Sequence, residues 1–112
     1  MKSLIESEAL KVKPSKGYIV KNTKSVKLLE DFSNDSDYSV RCGVAENPNC
    51  PVEILEKLSN DSYWYVRCGV AQNTNCPVEI LEKLSNDSDI DVQCNVAKHP
   101  NSPLEILKKA LE

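Results

Sequence analysis

The chain has little of what most chemistry needs. Its 112 residues include one histidine, one tryptophan, one phenylalanine and three glycines, and aromatics make up 5%. With His99 alone, no nucleophile–base pairing can be singled out, and no paired carboxylates stand apart as an acid–base couple. Gly17, Gly43 and Gly69 are scattered, which excludes a glycine run that cradles phosphate. No stretch approaches the roughly 20 apolar residues of a membrane span. The leading MKSLIESEALKVKPSKG lacks the continuous apolar core of a secretory signal. No alternating strand pattern occurs. These absences predict a non-enzymatic, cytoplasmic, all-α protein with no cofactor, no metal and no membrane association.

What is present is repetition. Ser33–Leu58 reads SNDSDYSVRCGVAENPNCPVEILEKL, and Ser59–Leu84 matches it at 21 of 26 positions. Ser85–Ala110 follows in the same frame, with 14 of 26 positions matching the second copy. A fixed period in this range predicts a stacked array, in which each unit buries its apolar face on its neighbours. The expected organisation is one domain: 1–32 as an N-terminal cap with a worn repeat, 33–58 and 59–84 as repeats, and 85–112 as a third repeat with the C-terminal cap. In the worn copy Gly17-Tyr18-Ile19 aligns with Gly43-Val44-Ala45, and Ser3–Lys11 is expected to be a capping helix.

Each unit reads as two short helices. Asn34-Asp35-Ser36 is a helix-start signal, so a first helix is expected over about Ser36–Glu46. Asn47-Pro48-Asn49 breaks it. Cys50-Pro51-Val52-Glu53 opens a second helix, with Pro51 at its first position, and Ser102 in the third copy completes a capping box. Val52, Leu55 and Leu58 are expected to face the core, with Ile54 widening the stripe. On the first helix, at about 100° per residue, Tyr38, Cys42 and Ala45 cluster inward. Ser39, Gly43 and Glu46 fall on the remaining arc. The equivalents are Tyr65, Gly69 and Gln72, then Asp91, Asn95 and Lys98. The copies differ mainly on that arc, as an array does when one outer strip is free to be edited.

The string Val40-Arg41-Cys42-Gly43-Val44-Ala45-Glu46-Asn47-Pro48-Asn49-Cys50-Pro51-Val52-Glu53-Ile54-Leu55 resembles the leucine-rich repeat variant family, whose unit carries V-R-x-A-V-A-x-N-P followed by a P-E-L-L-like helix. The resemblance covers residues 33–110 and a worn copy before them. It implies a right-handed α-solenoid of alternating α- and 3-10 helices, and a binding role. Gly43, Gly69 and Asn95 stand where the family has Ala, Ser36 stands where it has Pro, and the unit is about two residues longer. Some members carry an iron–sulfur module on clustered N-terminal cysteines. This chain has no cysteine before Cys42, so that cofactor is not carried over.

The five cysteines lie in the repeats and recur with them. Neighbouring helices stand about 8–10 Å apart, beyond the roughly 7 Å Cα reach of a disulfide, so buried thiols are expected. Arg41 and Arg67, with Gln93 third, read either as a ladder to Asp35, Asp61 or Asp87 or as an anion-binding pair. Asn34, Asn60 and Asn86, and Asn49, Asn75 and Asn101, read as turn formers. His99, where earlier copies have Asn47 and Asn73, reads as incidental. Tyr63-Trp64-Tyr65 is the sharpest deviation between copies. Trp64 is expected to be at least half core, whereas Tyr63 and Tyr65 have no evident packing role. Exposed aromatics there are either partner anchors or local packing and self-association contacts.

The resulting candidate partner-binding set is Ser39, Glu46, Tyr63, Trp64, Tyr65, Gln72, Asp91 and Lys98, facing an unknown protein or peptide, on a monomer or weak homodimer. The alternative is nucleic-acid binding. Residues 1–27 hold seven Lys and two Glu, a net of +5, and residues 28–112 hold seven Lys/Arg and fifteen Asp/Glu, a net of −8. Nucleic acid would have to use Lys11, Lys13, Lys16, Lys21, Lys24 and Lys27, since an acidic body cannot release counterions from phosphate.

Overall fold

The computed structural model describes residues 14–111. Among them the chain is all-helical, with eight helices and no strand: α1 (Lys16–Asn22), α2 (Val26–Phe32), α3 (Tyr38–Glu46), α4 (Val52–Leu58), α5 (Trp64–Gln72), α6 (Val78–Leu84), α7 (Ile90–Lys98) and α8 (Leu104–Ala110). The capping helix expected over Ser3–Lys11 lies outside the described residues, as does the side chain of Ala110. No described helix is long and apolar enough to cross a membrane. The helices pair in chain order and the pairs stack into a solenoid. The radius of gyration is 16.6 Å, against about 13 Å for a compact domain of this length.

Helices of seven to nine residues are too short to persist alone in water. Packing holds them. Val44, Ala45, Leu55 and Leu58 are fully buried or nearly so, as are Val70, Ala71, Leu81 and Leu84 one repeat on. Fully burying one such aliphatic side chain contributes about 1.5–3 kcal/mol.

Several local expectations need correction. α3 starts two residues after Ser36, because Asp35 Oδ1 accepts the Asp37 N–H at 2.8 Å and holds the chain in a turn. Asp37 then caps α3 by accepting the Ser39 N–H at 2.9 Å. In the three full repeats the second helix starts at Val52, Val78 and Leu104, with Pro51, Pro77 and Pro103 in the cap position and no side-chain cap. Ser102 Oγ donates to the Val96 carbonyl, so no capping box forms. The buried stripe is Ile54, Leu55 and Leu58, while Val52 and Val78 are exposed. These helices are α. Bonds of 3-10 type occur only at their ends: Ile54 donates to the Pro51 carbonyl at 3.1 Å in the first turn, and Asn60 and Asp61 donate to the Lys57 and Leu58 carbonyls at 3.1 Å past the last.

The worn repeat is real, but its first helix is out of frame. Tyr18 is 62% exposed where Val44 is buried. Val20, not Ile19, meets Gly43 in the way that Ala45 meets Gly69. The linker 23–25 is shorter than the linker 47–51, and the helix shifts to compensate. The second helix keeps its frame, with Leu29 fully buried.

Gly43 and Gly69 were expected on the outer arc, and they are buried at the contact between successive first helices. A Cβ on Gly43 would stand 2.8 Å from Val20 Cγ1, and one on Gly69 would stand 3.1 Å from Ala45 Cβ. The missing side chain lets α3 approach α1, and α5 approach α3. Asn95 holds this place in α7 and turns its amide to the Asp91 carbonyl at 2.9 Å.

Candidate functional site

Burial of Gly43 and Gly69 divides the expected outer strip into two edges. Ser39, Tyr65 and Asp91 are exposed at the starts of α3, α5 and α7; Glu46, Gln72 and Lys98 are exposed at their ends. The two edges lie seven residues apart along each helix, about 10 Å at 1.5 Å per residue. The candidate set therefore does not form one continuous surface.

The starting edge gathers aromatics. Tyr38 and Tyr63 meet edge to face with centroids 4.5 Å apart, across the boundary between repeats. Tyr38 reaches Tyr65 at 6.1 Å, Tyr63 lies 6.0 Å from Trp64, and Trp64 lies 5.5 Å from Tyr65. Such pairings are worth about 0.5–1.5 kcal/mol beyond the area they bury. Tyr38 is 43% exposed, Trp64 37% and Tyr65 47%. Tyr63 differs from its expectation: it is half-buried against the core and braces Tyr38. Tyr38 was placed with the inward cluster, and it stands outside as the fourth member of this group. Four of the six aromatics in the chain are thus in one place.

Three ladders hold the edges in register. In the first, Arg41 donates from Nε and Nη2 to the two Asp61 carboxylate oxygens at 2.8 and 3.2 Å, and from Nη1 to the Asp35 carbonyl at 2.9 Å. Arg67 repeats this with Asp87 at 2.8 and 3.1 Å and with the Asp61 carbonyl at 2.8 Å. Gln93 keeps only the carbonyl bond, to Asp87. The reading of Arg41 and Arg67 as a structural ladder holds, and their guanidinium groups are committed. Burial pushes the Asp87 carboxyl up, but the Arg67 fork and the Asp89 N–H together hold it below the usual carboxylate range. Lys16, bonded to Asp35 at 2.6 Å, lowers that carboxyl in the same sense.

The second ladder is Asn47, Asn73 and His99, all buried. Asn73 Nδ2 donates to the Ala45 and Asn47 carbonyls at 2.7 and 2.9 Å, and its Oδ1 accepts the Asn75 N–H at 2.8 Å. Asn47 does the same with Val20, Thr23 and Asn49. His99 Nδ1 accepts the Asn101 N–H at 3.0 Å, so Nε2 carries the proton and donates to the Asn73 carbonyl at 2.7 Å. The histidine read as incidental is a structural member, and the sequence reading missed the ladder. Its signal was present: a polar residue at a 26-residue interval directly after each first helix.

The third ladder uses the recognised turn asparagines. Asn34, Asn60 and Asn86 donate to the Glu30, Glu56 and Glu82 carbonyls. Lys57 and Lys109 reach back to Asn34 and Asn86 across one repeat. Asn75 donates to the Pro48 carbonyl at 2.8 Å.

Cys42, Cys50, Cys68 and Cys76 are free and buried, as expected, whereas Cys94 is exposed. Burial pushes the Cys42 thiol up to about 11 and the Cys50 and Cys76 thiols up to about 12. These four are poor nucleophiles at neutral pH. Cys94 is exposed because no further first helix among the described residues packs over α7. A concavity of about 310 Å3 opens between Ser85, Asn86, Gln93, Ala97, Ile106 and Lys109, beside α7 and α8.

Comparison with known proteins agrees with this geometry. No curated protein and no solved structure matches the chain. The family model described as leucine rich repeat variant matches twice, over residues 38–62 and 64–89. Each match begins at the start of a first helix and runs through the second. Residues 38–62 and 64–89 are thus two successive repeats of the leucine rich repeat variant type.

Proposed function

We propose that the chain is a non-enzymatic module that binds another protein or peptide through the starting edge of its first helices. The observation that carries this reading is the aromatic group. Tyr38, Trp64 and Tyr65 each leave more than a third of their surface exposed on a chain with six aromatics. Half-covered, mutually braced rings lose little conformational entropy on contact and desolvate well, which makes aromatics the usual anchors of interfaces. Catalysis has less support. His99 has both ring nitrogens committed to backbone groups, and four thiols are buried.

The test is affinity purification with the intact chain and with Tyr65→Ala. The proposal expects a co-purifying protein that is lost with Tyr65→Ala while the thermal midpoint stays within a few degrees. A partner held equally by both forms contradicts it.

Nucleic-acid binding through the basic leader is the second reading. Lys16 is engaged by Asp35 and Lys27 pairs with Asp31 at 3.3 Å, which leaves fewer free cations for phosphate. A salt titration with a generic DNA duplex decides it: salt-sensitive binding at low ionic strength supports this reading, and its absence removes it.

A further inference from the structure

We propose that the segment bound at the aromatic edge is cationic: an extended peptide carrying Lys or Arg, whose charged groups lie on the rings and against Asp37, Asp89 and Asp91. This rests on the reading of that edge as a binding face, and it adds the chemistry of the partner.

The argument starts from the stacking. Positions 37, 63 and 89 are equivalent, as are 38, 64 and 90, and 39, 65 and 91. Tyr63, Trp64 and Tyr65 therefore occupy the middle of three layers. The layer before presents Asp37, and the layer after presents Asp89 and Asp91. Successive layers lie about 8–10 Å apart, within the span of a few extended residues at roughly 3.3 Å each. The aromatic group is bracketed by carboxylates along the axis of the array.

The chain's own cations act on these carboxylates at a distance without bonding them. Its two arginines, Arg41 and Arg67, bond Asp61 and Asp87 and are largely covered, with Arg67 also within Coulombic range of Asp89; Lys16, bonded to Asp35, is within range of Asp37. Asp37 and Asp89 cap their helices through Oδ1 alone. That leaves Oδ2 of each without a hydrogen bond among the described residues. Asp91 is exposed.

The chemistry then selects the occupant. An aromatic face is the negative side of a ring quadrupole and attracts ammonium and guanidinium groups, most strongly at Trp. Carboxylates one layer away on either side add Coulomb attraction, steering and register. The same groups repel phosphate and acidic peptides. A neutral apolar segment would find rings but would have to strip water from the carboxylates without pairing them. The opposite edge, Glu46, Gln72 and Lys98, has mixed charge and no aromatic group.

The test uses the full chain and three fluorescein-labelled octapeptides of stated composition: Lys/Arg with Gly, Glu with Gly, and Leu/Ser with Gly. Anisotropy is read at two salt concentrations. The proposal expects binding of the Lys/Arg peptide alone, weakened about fivefold or more by Tyr65→Ala and by Trp64→Ala. Asp37→Asn and Asp89→Asn keep the helix caps and should weaken it comparably, whereas Glu79→Gln on α6, outside this edge, should leave it unchanged. Thermal midpoints check that each variant is folded.

Equal weakening by Glu79→Gln shows diffuse charge attraction and overturns the proposal. Tyr65-dependent binding of the Leu/Ser peptide overturns the cationic assignment but leaves the aromatic edge as a binding face. If Tyr65→Ala changes no peptide binding and also leaves the co-purifying partner in place, the underlying reading falls as well. A dimer that dissociates with Tyr65→Ala, competing with the Lys/Arg peptide, would replace the foreign peptide by the basic leader of a second copy.

Discussion

Arg41 of the first full repeat grips Asp61 of the second through two parallel bonds, at 2.8 and 3.2 Å. Asp61 in turn accepts the Tyr63 N–H at 2.9 Å. One carboxylate thus fixes the spacing of two repeats and the entry of α5, just where the aromatic group begins. Arg67 and Asp87 repeat the arrangement one layer on.

Removing one partner from such a pair leaves a mostly covered charge without its counter-ion. Asp87→Ala should destabilise the chain by about 1–3 kcal/mol, between the values for exposed and buried pairs. Arg67→Ala should cost a similar amount, and the double variant less than the sum. Urea unfolding of the four-member cycle checks this. Strict additivity would show that the fork contributes nothing beyond its separate parts.

The same pair sets an acid limit. The Asp87 carboxyl is held below its usual value in the folded chain, and an unperturbed Asp titrates near about 3.9. A depressed carboxyl contributes stability above its unfolded value, and that contribution is lost as pH falls through the folded value. The thermal midpoint should therefore be nearly flat from about pH 7 to 5 and fall below about pH 4. Asp87→Asn should fall less steeply there. An unchanged slope in that variant would locate the acid sensitivity elsewhere.

His99 fills a place that asparagine fills in earlier repeats. Asn has a donor and an acceptor for the same two backbone groups, so His99→Asn should cost less than about 1 kcal/mol. His99→Leu leaves the Asn101 N–H without its partner and removes one of two donors to the Asn73 carbonyl, which keeps the Cys76 N–H at 2.9 Å, so it should cost about 1–3 kcal/mol in all. Chemical denaturation of both variants distinguishes them. If the two were equally stable, His99 would be filling space and not bonding.

Thiol chemistry reports the stack directly. In the folded chain a maleimide should label Cys94 rapidly and the other four cysteines slowly, since those are buried and mostly protonated at neutral pH. All five should label in denaturant. Intact-mass measurement over time checks it, and fast labelling of Cys42 or Cys68 in the native chain would contradict their position between layers.

The period of 26 residues made the array, the helix pairs and the family legible, because a repeated core position identifies itself. Ala45, Leu55 and their counterparts needed only counting. Val52 was misassigned because, at about 100° per residue, it stands at the margin of the narrow arc that Ile54, Leu55 and Leu58 share, and a short helix buries only that arc. Gly43 looked free on a helical wheel; only the approach of Val20 from the previous layer shows why a side chain is absent. The Asn47–Asn73–His99 ladder was hidden by substitution, since imidazole and amide look unlike yet offer the same donor and acceptor. Tyr38 was legible as part of a helix but not as part of the aromatic edge, which exists only between two repeats.

Excising residues 59–84 tests the in-phase stack most directly. The cut removes one whole period and should let Arg41 meet Asp87 and Asn47 meet His99 across the new junction. The shortened chain should remain helical and unfold cooperatively at a lower midpoint, while a deletion of residues 59–71, half a period, should abolish cooperative unfolding. Circular dichroism through a thermal scan reads both. If the two deletions were equally unfolded, or equally well folded, the repeats would not be stacking in phase and the account would be wrong.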